Sequence, residues 1–198
     1  MTTTLYLIRH AEHDLLGQTL CGRMEGVGLG ETGRAQAGRL AGRLAALGVA
    51  RVFSSPVQRA VETAAPLAQA LNLPVEVAPE LDELDFGCWT GRRFEELAED
   101  PAWRVWNSDR GRARPPSGET MLEAQARAST WLHRLIREPG PQPCAAVSHG
   151  DLIKALVAHV LGLPLHFHDR LEISPASVTT MVGGDWGLKI HNLNEVVA

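Results

Sequence analysis

The chain has 198 residues, 44% of them hydrophobic and 21% charged, a composition that supplies a folded core and excludes a disordered tail. Folding at this length buries roughly 70% of the surface of the unfolded chain, so neither disulfides nor a structural metal is required. A net charge of −4 excludes the general basic face that nucleic acid or an anionic membrane demands, and leaves any anion site to be local. Cys21, Cys88 and Cys144 are odd in number and lack CxxC spacing, as in a reducing compartment. The start has no basic segment, its apolar stretch is only Leu5 to Ile8, and no run approaches the ~20 apolar residues of a membrane span. A cytoplasmic protein without a nucleic-acid or membrane partner is expected.

In chain order, Leu5-Tyr6-Leu7-Ile8 reads as a buried strand running into Arg9-His10. After a glycine-rich loop, Glu31 to Leu47 sets Ala37, Leu40, Leu44 and Leu47 on one helical face, with Arg34, Arg39 and Arg43 outside and Gly30 as a weak N-cap. Val49 to Ser54 is a second strand, and Ser55-Pro56 offers an N-cap and a first-turn proline to a helix reaching about Leu71. Val75-Glu76-Val77 is a third strand. Residues 79–116 have no period but hold Trp89, Trp103 and Trp106, which marks an insertion or lid. Ser117 is placed to cap a helix that turns Met121, Ala124, Ala128, Trp131 and Leu135 inward and ends near Pro139. Cys144 to Ser148 is a strand of small residues running into His149-Gly150, and Leu152 to Leu161 is an apolar helix closed by Gly162 and Pro164. Val178 to Val182 and Leu188 to Leu193, joined through Gly183-Gly184-Asp185, make a final hairpin. The alternation predicts an α/β fold: a three-layer α/β/α sandwich with a mostly parallel central sheet, in one domain over 1–198. Sites in such folds lie at the carboxyl ends of strands.

Two strands end in histidine, His10 and His149. Arg9, at the rim of an apolar strand, needs an anion or carboxylate beside it, and phosphate is such a partner. Arg59, about one turn into its helix, would add a guanidinium to the same oxyanion. Each alone is unremarkable, since strand-end imidazoles are commonly structural and an isolated arginine is commonly solvated. Leu81-Asp82-Glu83-Leu84-Asp85 offers an acid, and spacing does not choose among Asp82, Glu83 and Asp85.

Leu7-Ile8-Arg9-His10, Gly22-Arg23, Leu29 and Gly33, Ser54-Ser55-Pro56 with Arg59 and Thr63, Leu81, Glu83, Phe86-Gly87, Trp89 and Gly91, then Ser148-His149-Gly150, taken in order, resemble the histidine phosphatase superfamily. The likeness is to its phosphoglycerate mutase-like branch of mutases and small-molecule phosphatases, over roughly residues 5–160. It implies a phosphoglycerate mutase-like fold and His10 as a neutral nucleophile that accepts the phosphoryl group. Arg9, Arg59 and His149 would surround the phosphoryl oxygens with Gly150 beside them, Arg23 would be a fourth phosphate contact, and Glu83 would be the proton donor. It implies no metal and no cofactor, because arginines can meet the charge of phosphoryl transfer. The chain departs from the family pattern at Ala11 for glycine and Glu12-His13 for glutamate-threonine, and no asparagine lies between Asp14 and Leu20. These departures bear on substrate.

A mutase needs a water-excluding site and a second anion site, for which Arg92, Arg93, Arg104, Arg110, Arg112 and Arg114 supply charge if they point inward. Arginines of irregular segments generally snorkel outward, so hydrolysis of a small phosphorylated metabolite leads. Two rivals stand beside it: a metal-dependent hydrolase built on His10, Glu12, His13 and Asp14 with His166, His168 and Asp169, and a non-catalytic module that binds a phosphorylated ligand. His133, His159 and His191 read as structural or exposed, and Glu119 either as a turn residue near the pocket or as a helix-start carboxylate. Oligomeric state is left open, a homodimer included.

Overall fold

The computed structural model describes residues 2–138 and 142–196, so the predicted helix end at Pro139 lies outside the described residues. A six-stranded sheet has the order β3-β2-β4-β1-β5-β6, from β1 (Thr2–Arg9), β2 (Arg51–Ser54), β3 (Val75–Val77), β4 (Cys144–Ser148), β5 (Ser177–Gly184) and β6 (Gly187–Val196). β3, β2, β4 and β1 are parallel, and the hairpin β5–β6 adds two antiparallel neighbours, giving the expected mostly parallel sheet. Its inner strands are buried on both faces and alternate between two cores. Leu5, Leu7, Phe53, Cys144 and Ala146 enter one core, while Ile8, Val52, Ala145 and Val147 enter the other.

The second core is closed by α1 (Glu31–Ala45) and α2 (Gln58–Leu71), which present Ala37, Leu40, Leu44, Ala60, Ala64 and Leu67 to the sheet. The first is closed by α5 (Met121–Arg137) and α6 (Gly150–Leu161), the inner face of α5 carrying the predicted Met121, Ala124, Ala128, Trp131 and Leu135. Between β3 and α5, residues 79–116 hold two 3-10 turns and the short helices α3 (Phe94–Ala98) and α4 (Pro101–Ser108). Trp89 and Trp106 of this segment are fully buried in the α5–α6 core, Trp89 edge-on to Trp103 at 5.2 Å and Trp106 edge-on to Phe86 at 6.4 Å. Each such ring stabilises by its buried area and adds roughly 1 kcal/mol from edge-to-face geometry. The tryptophans are core, and the segment is anchored by them.

Several expected boundaries move. α2 begins at Gln58 with Val57 in the cap position and no side-chain cap on it; Ser55, two residues earlier, accepts the Val57 N–H at 3.3 Å while its hydroxyl also meets His149 Nε2 at 2.7 Å. Ser117 does not cap α5 either: it has φ +59°, and Thr120 caps the helix, forming a capping box with Glu123. α1 stops at Ala45, β2 starts at Arg51, α6 starts at Gly150 and the terminal hairpin spans more residues than predicted. Gly30 does occupy the N-cap of α1.

Close backbone approach fixes the loop after β1. The Gly30 N–H donates to the Glu12 carbonyl at 3.1 Å, and a Cβ at Gly33 would overlap that same carbonyl. Gly33→Ala is therefore expected to destabilise by about 2 kcal/mol in urea denaturation, whereas Gly38→Ala, on the same helix with open space around it, is expected to be stabilising by about 0.5–1 kcal/mol.

Candidate active site

The carboxyl ends of β1, β2 and β4 meet at one point, and the chain leaves each of them through a site residue or its support. His10 N–H donates to Ser148 O at 2.8 Å, Ala11 N–H to Thr63 Oγ1 at 3.0 Å, and the Ala176 N–H to Arg9 O at 3.1 Å, so the turn after β1 is held from three sides. The Ser148 hydroxyl donates to Leu81 O at 2.8 Å and ties the segment bearing Glu83 to β4. His10, Arg59, Glu83 and His149 are all buried, and His10, Arg9, His13, Arg59, Glu83 and Lys154 line a cleft of about 240 Å³.

Arg59 is the hub. Its Nε–H donates to His10 Nε2 at 3.2 Å and its Nη2 lies 3.2 Å from His149 Nδ1 and 2.7 Å from Gly22 O. The donor identities fix both tautomers. His10 Nδ1 carries hydrogen and donates to Ala11 O at 2.8 Å, which leaves a lone pair on Nε2. His149 accepts at Nδ1, so its Nε2–H donates to Ser55 Oγ, whose hydroxyl donates to Asp82 Oδ1 at 3.3 Å. Burial first, then the Arg59 charge, holds His10 and His149 well below the ordinary imidazole range, although the Ala11 bond opposes this at His10. Both rings are neutral at pH 7.

Glu83 is moved the other way. Burial and the nearby Asp151 raise its carboxyl to about 7, against Arg59 and the Leu84 N–H that bonds Oε1 at 2.9 Å. Its Oε2 is 3.8 Å from His149 Nδ1. The neighbouring acids are committed elsewhere. Asp82 accepts from Ser55 and from the Glu83 N–H, and Asp85 accepts from the Gly87 N–H at 2.8 Å. The main chain of Glu83 is gripped by Arg23 and Arg127, whose guanidiniums donate to Glu83 O at 2.7 and 3.1 Å while both bind Glu119.

The structure thus brings Arg9, His10, Arg59, Glu83 and His149 together with Gly150 against the Arg9 guanidinium. Arg23, expected as a fourth phosphate contact, meets Asp82 at 3.3 Å, Glu119 at 2.7 Å and the Glu83 carbonyl at 2.7 Å. Glu119 is a buttress shared by two arginines. Sequence reasoning missed Arg127, whose carbonyl partners on Glu80 and Glu83 lie 47 and 44 residues away, and Asp151, which is paired with Arg110 at 2.9 Å. A carboxylate directly after His149-Gly150 was the available signal. The metal-ligand rival does not assemble: among the described residues no three His, Cys, Asp or Glu side chains converge in ligating geometry.

Two guanidinium nitrogens in this cluster, Arg9 Nε and Arg59 Nη1, are buried without a hydrogen-bond partner. Leaving such donors unmet costs about 1–3 kcal/mol each, and two of them beside a neutral imidazole can be met by an anion. A family model described as the histidine phosphatase superfamily, branch 1, matches residues 5–196. The chain belongs to that superfamily.

Superfamily relatives place it further. It is 38% identical over 180 residues to a bifunctional protein of Mycobacterium tuberculosis, covering 89% of this chain and 49% of that protein. The chain thus spans about half the length of the first of the curated relatives that it matches. It is 33% identical over 180 residues to a probable phosphoglycerate mutase of Cronobacter sakazakii, covering 88% of this chain and 82% of the relative. The solved structure of a mycobacterial glucosyl-3-phosphoglycerate phosphatase in complex with VO3 superposes with a TM-score of 0.87 at 30% identity, covering 98% and 99% of the two chains.

Because the folded pKa of Glu83 lies above that of a solvated glutamate, the folded chain holds this proton more tightly than the unfolded one. The stability so gained is complete below pH 4.5 and is lost as pH rises through about 7. Glu83→Gln, which cannot ionise, is expected to melt several degrees above the parent at pH 8 and close to it at pH 4, as read by circular dichroism.

Proposed function

We propose that the chain is a phosphatase that hydrolyses a small phosphorylated metabolite through a phosphohistidine at His10. The observation that carries this is the neutral His10, protonated at Nδ1 and with its Nε2 lone pair turned to Arg59, set beside the two unpartnered guanidinium nitrogens Arg9 Nε and Arg59 Nη1. In the reading, Nε2 attacks phosphorus and a N–P bond forms as the P–O bond to the leaving group breaks. Glu83, protonated up to about pH 7, gives its proton to the departing oxygen. Water then attacks the phosphohistidine, the N–P bond breaks, and Glu83 recovers a proton from that water. Arg9 and Arg59 turn their free N–H groups to the phosphoryl oxygens, and this charge supplies the stabilisation of the transition state.

Hydrolysis is favoured over mutase transfer by where the arginines of residues 79–116 go. Arg92 pairs with Asp100, Arg93 with Glu95, Arg104 with Glu99, Arg112 with Asp109, Arg114 with Glu123 and Arg110 with Asp151, so no second anion site is built from them. The names of two relatives, a glucosyl-3-phosphoglycerate phosphatase and a probable phosphoglycerate mutase, support phosphoryl chemistry on small metabolites. On this reading residues 2–196 are one catalytic unit, with 79–116 as the wall that carries Glu83. No helix among the described residues is long and apolar enough to cross a membrane.

His10→Ala is expected to lower kcat/KM on a chromogenic phosphomonoester at least 1,000-fold, in line with removal of a covalent nucleophile. EDTA is expected to leave the wild-type rate unchanged. Undiminished turnover by His10→Ala overturns the reading. A panel of metabolites assayed with and without a bisphosphoglycerate primer separates the alternatives, since primer-dependent isomerisation would make the enzyme a mutase.

A further inference from the structure

His13, three residues after His10, is used by none of the steps above. It is 7% exposed, lines the cleft, and stands beside His10 with ring centroids 5.5 Å apart and planes at 37°. Its Nδ1 is buried and has no hydrogen-bond partner in the protein. Among the other side chains that its loop gives to the cleft, Leu16, Gly17, Leu20 and Gly22 bring no polar atom, the Cys21 thiol points at Thr19 O, and Thr19 adds a hydroxyl. A buried imidazole nitrogen with no partner in the protein is costly unless a ligand meets it. Resting on the phosphatase reading, we propose that His13 Nδ1–H donates a hydrogen bond to a non-bridging oxygen of the phosphoryl group bound at His10, making His13 a phosphoryl-binding residue of this enzyme.

The electrostatics agree with the placement. Burial, then Arg59, then Arg9 push the His13 ring down to about 4, so the two guanidiniums that bear free N–H groups are also those nearest in effect to this imidazole. His13 is therefore neutral at pH 7 and donates from one ring nitrogen only, and the third wall of the oxyanion site is a neutral donor facing two cationic ones.

Amide replacements locate the nitrogen. Asparagine puts an NH2 where Nδ1 lies, whereas glutamine, closer to histidine in length, carries its amide near the Nε2 position. Inorganic phosphate, which has no leaving group, is the probe, titrated calorimetrically and as a competitive inhibitor. His13→Ala and His13→Gln are expected to weaken phosphate binding roughly tenfold, the loss of one hydrogen bond, and His13→Asn to restore it to within about twofold of wild type. Phosphate bound equally by wild type and His13→Ala would overturn the proposal, as would a Gln variant that rescues better than Asn, because that order reports filling of space. Failure of the wild type itself to bind phosphate would instead overturn the phosphatase reading.

Discussion

A single buried guanidinium organises the site. Arg59 is 2% exposed, and its charge sits within hydrogen-bond reach of two imidazoles that are themselves almost wholly buried. In such surroundings a cation is costly unless it is met by hydrogen-bond acceptors, and Arg59 is met by His10 Nε2, His149 Nδ1 and Gly22 O. Burial, and then the Arg59 charge beside them, keep both rings neutral. The neutral state and tautomer of both rings therefore follow from one placement, that of the first turn of α2 against the ends of β1 and β4.

The fold serves that placement. Parallel strands bring their carboxyl ends to one edge, and the small residues of β4, Cys144 through Ser148, all buried, let α5, α6, α1 and α2 approach closely from both faces. The tryptophans of residues 79–116 then weld the Glu83 segment to the α5–α6 core, with Ser148 linking it to β4 and Arg127 linking it to α5. Glu83 is thus carried by a loop whose surroundings are as packed as those of a strand, which keeps a carboxyl in a dry place and raises its proton affinity.

What was legible in the sequence was whatever local pattern dictates. The apolar runs gave β1, β4 and α6, the helical stripe of α5 was read residue by residue, and the strand-end rule pointed to His10 and His149. Glu83 was not separable from Asp82 and Asp85 by spacing; resemblance chose it, and the reason is three-dimensional, since its neighbours answer to Ser55, Arg23 and the Gly87 N–H. The expected caps shift for local reasons: Ser55 accepts the Val57 N–H one residue before the helix proper, and Ser117 turns at φ +59° and leaves the cap to Thr120. Arg127 and Arg23 were invisible as a pair because Glu119, which joins them, lies 96 residues from one and 8 from the other.

The grip on Glu83 is on its carbonyl, by two arginines, and on Oε1, by the adjacent amide, while Oε2 is left to the cleft. Loading and unloading of that oxygen consequently breaks none of the links by which the loop is tethered. In the proposed reaction the proton thus resides on the one carboxyl oxygen that carries none of the loop's tethers.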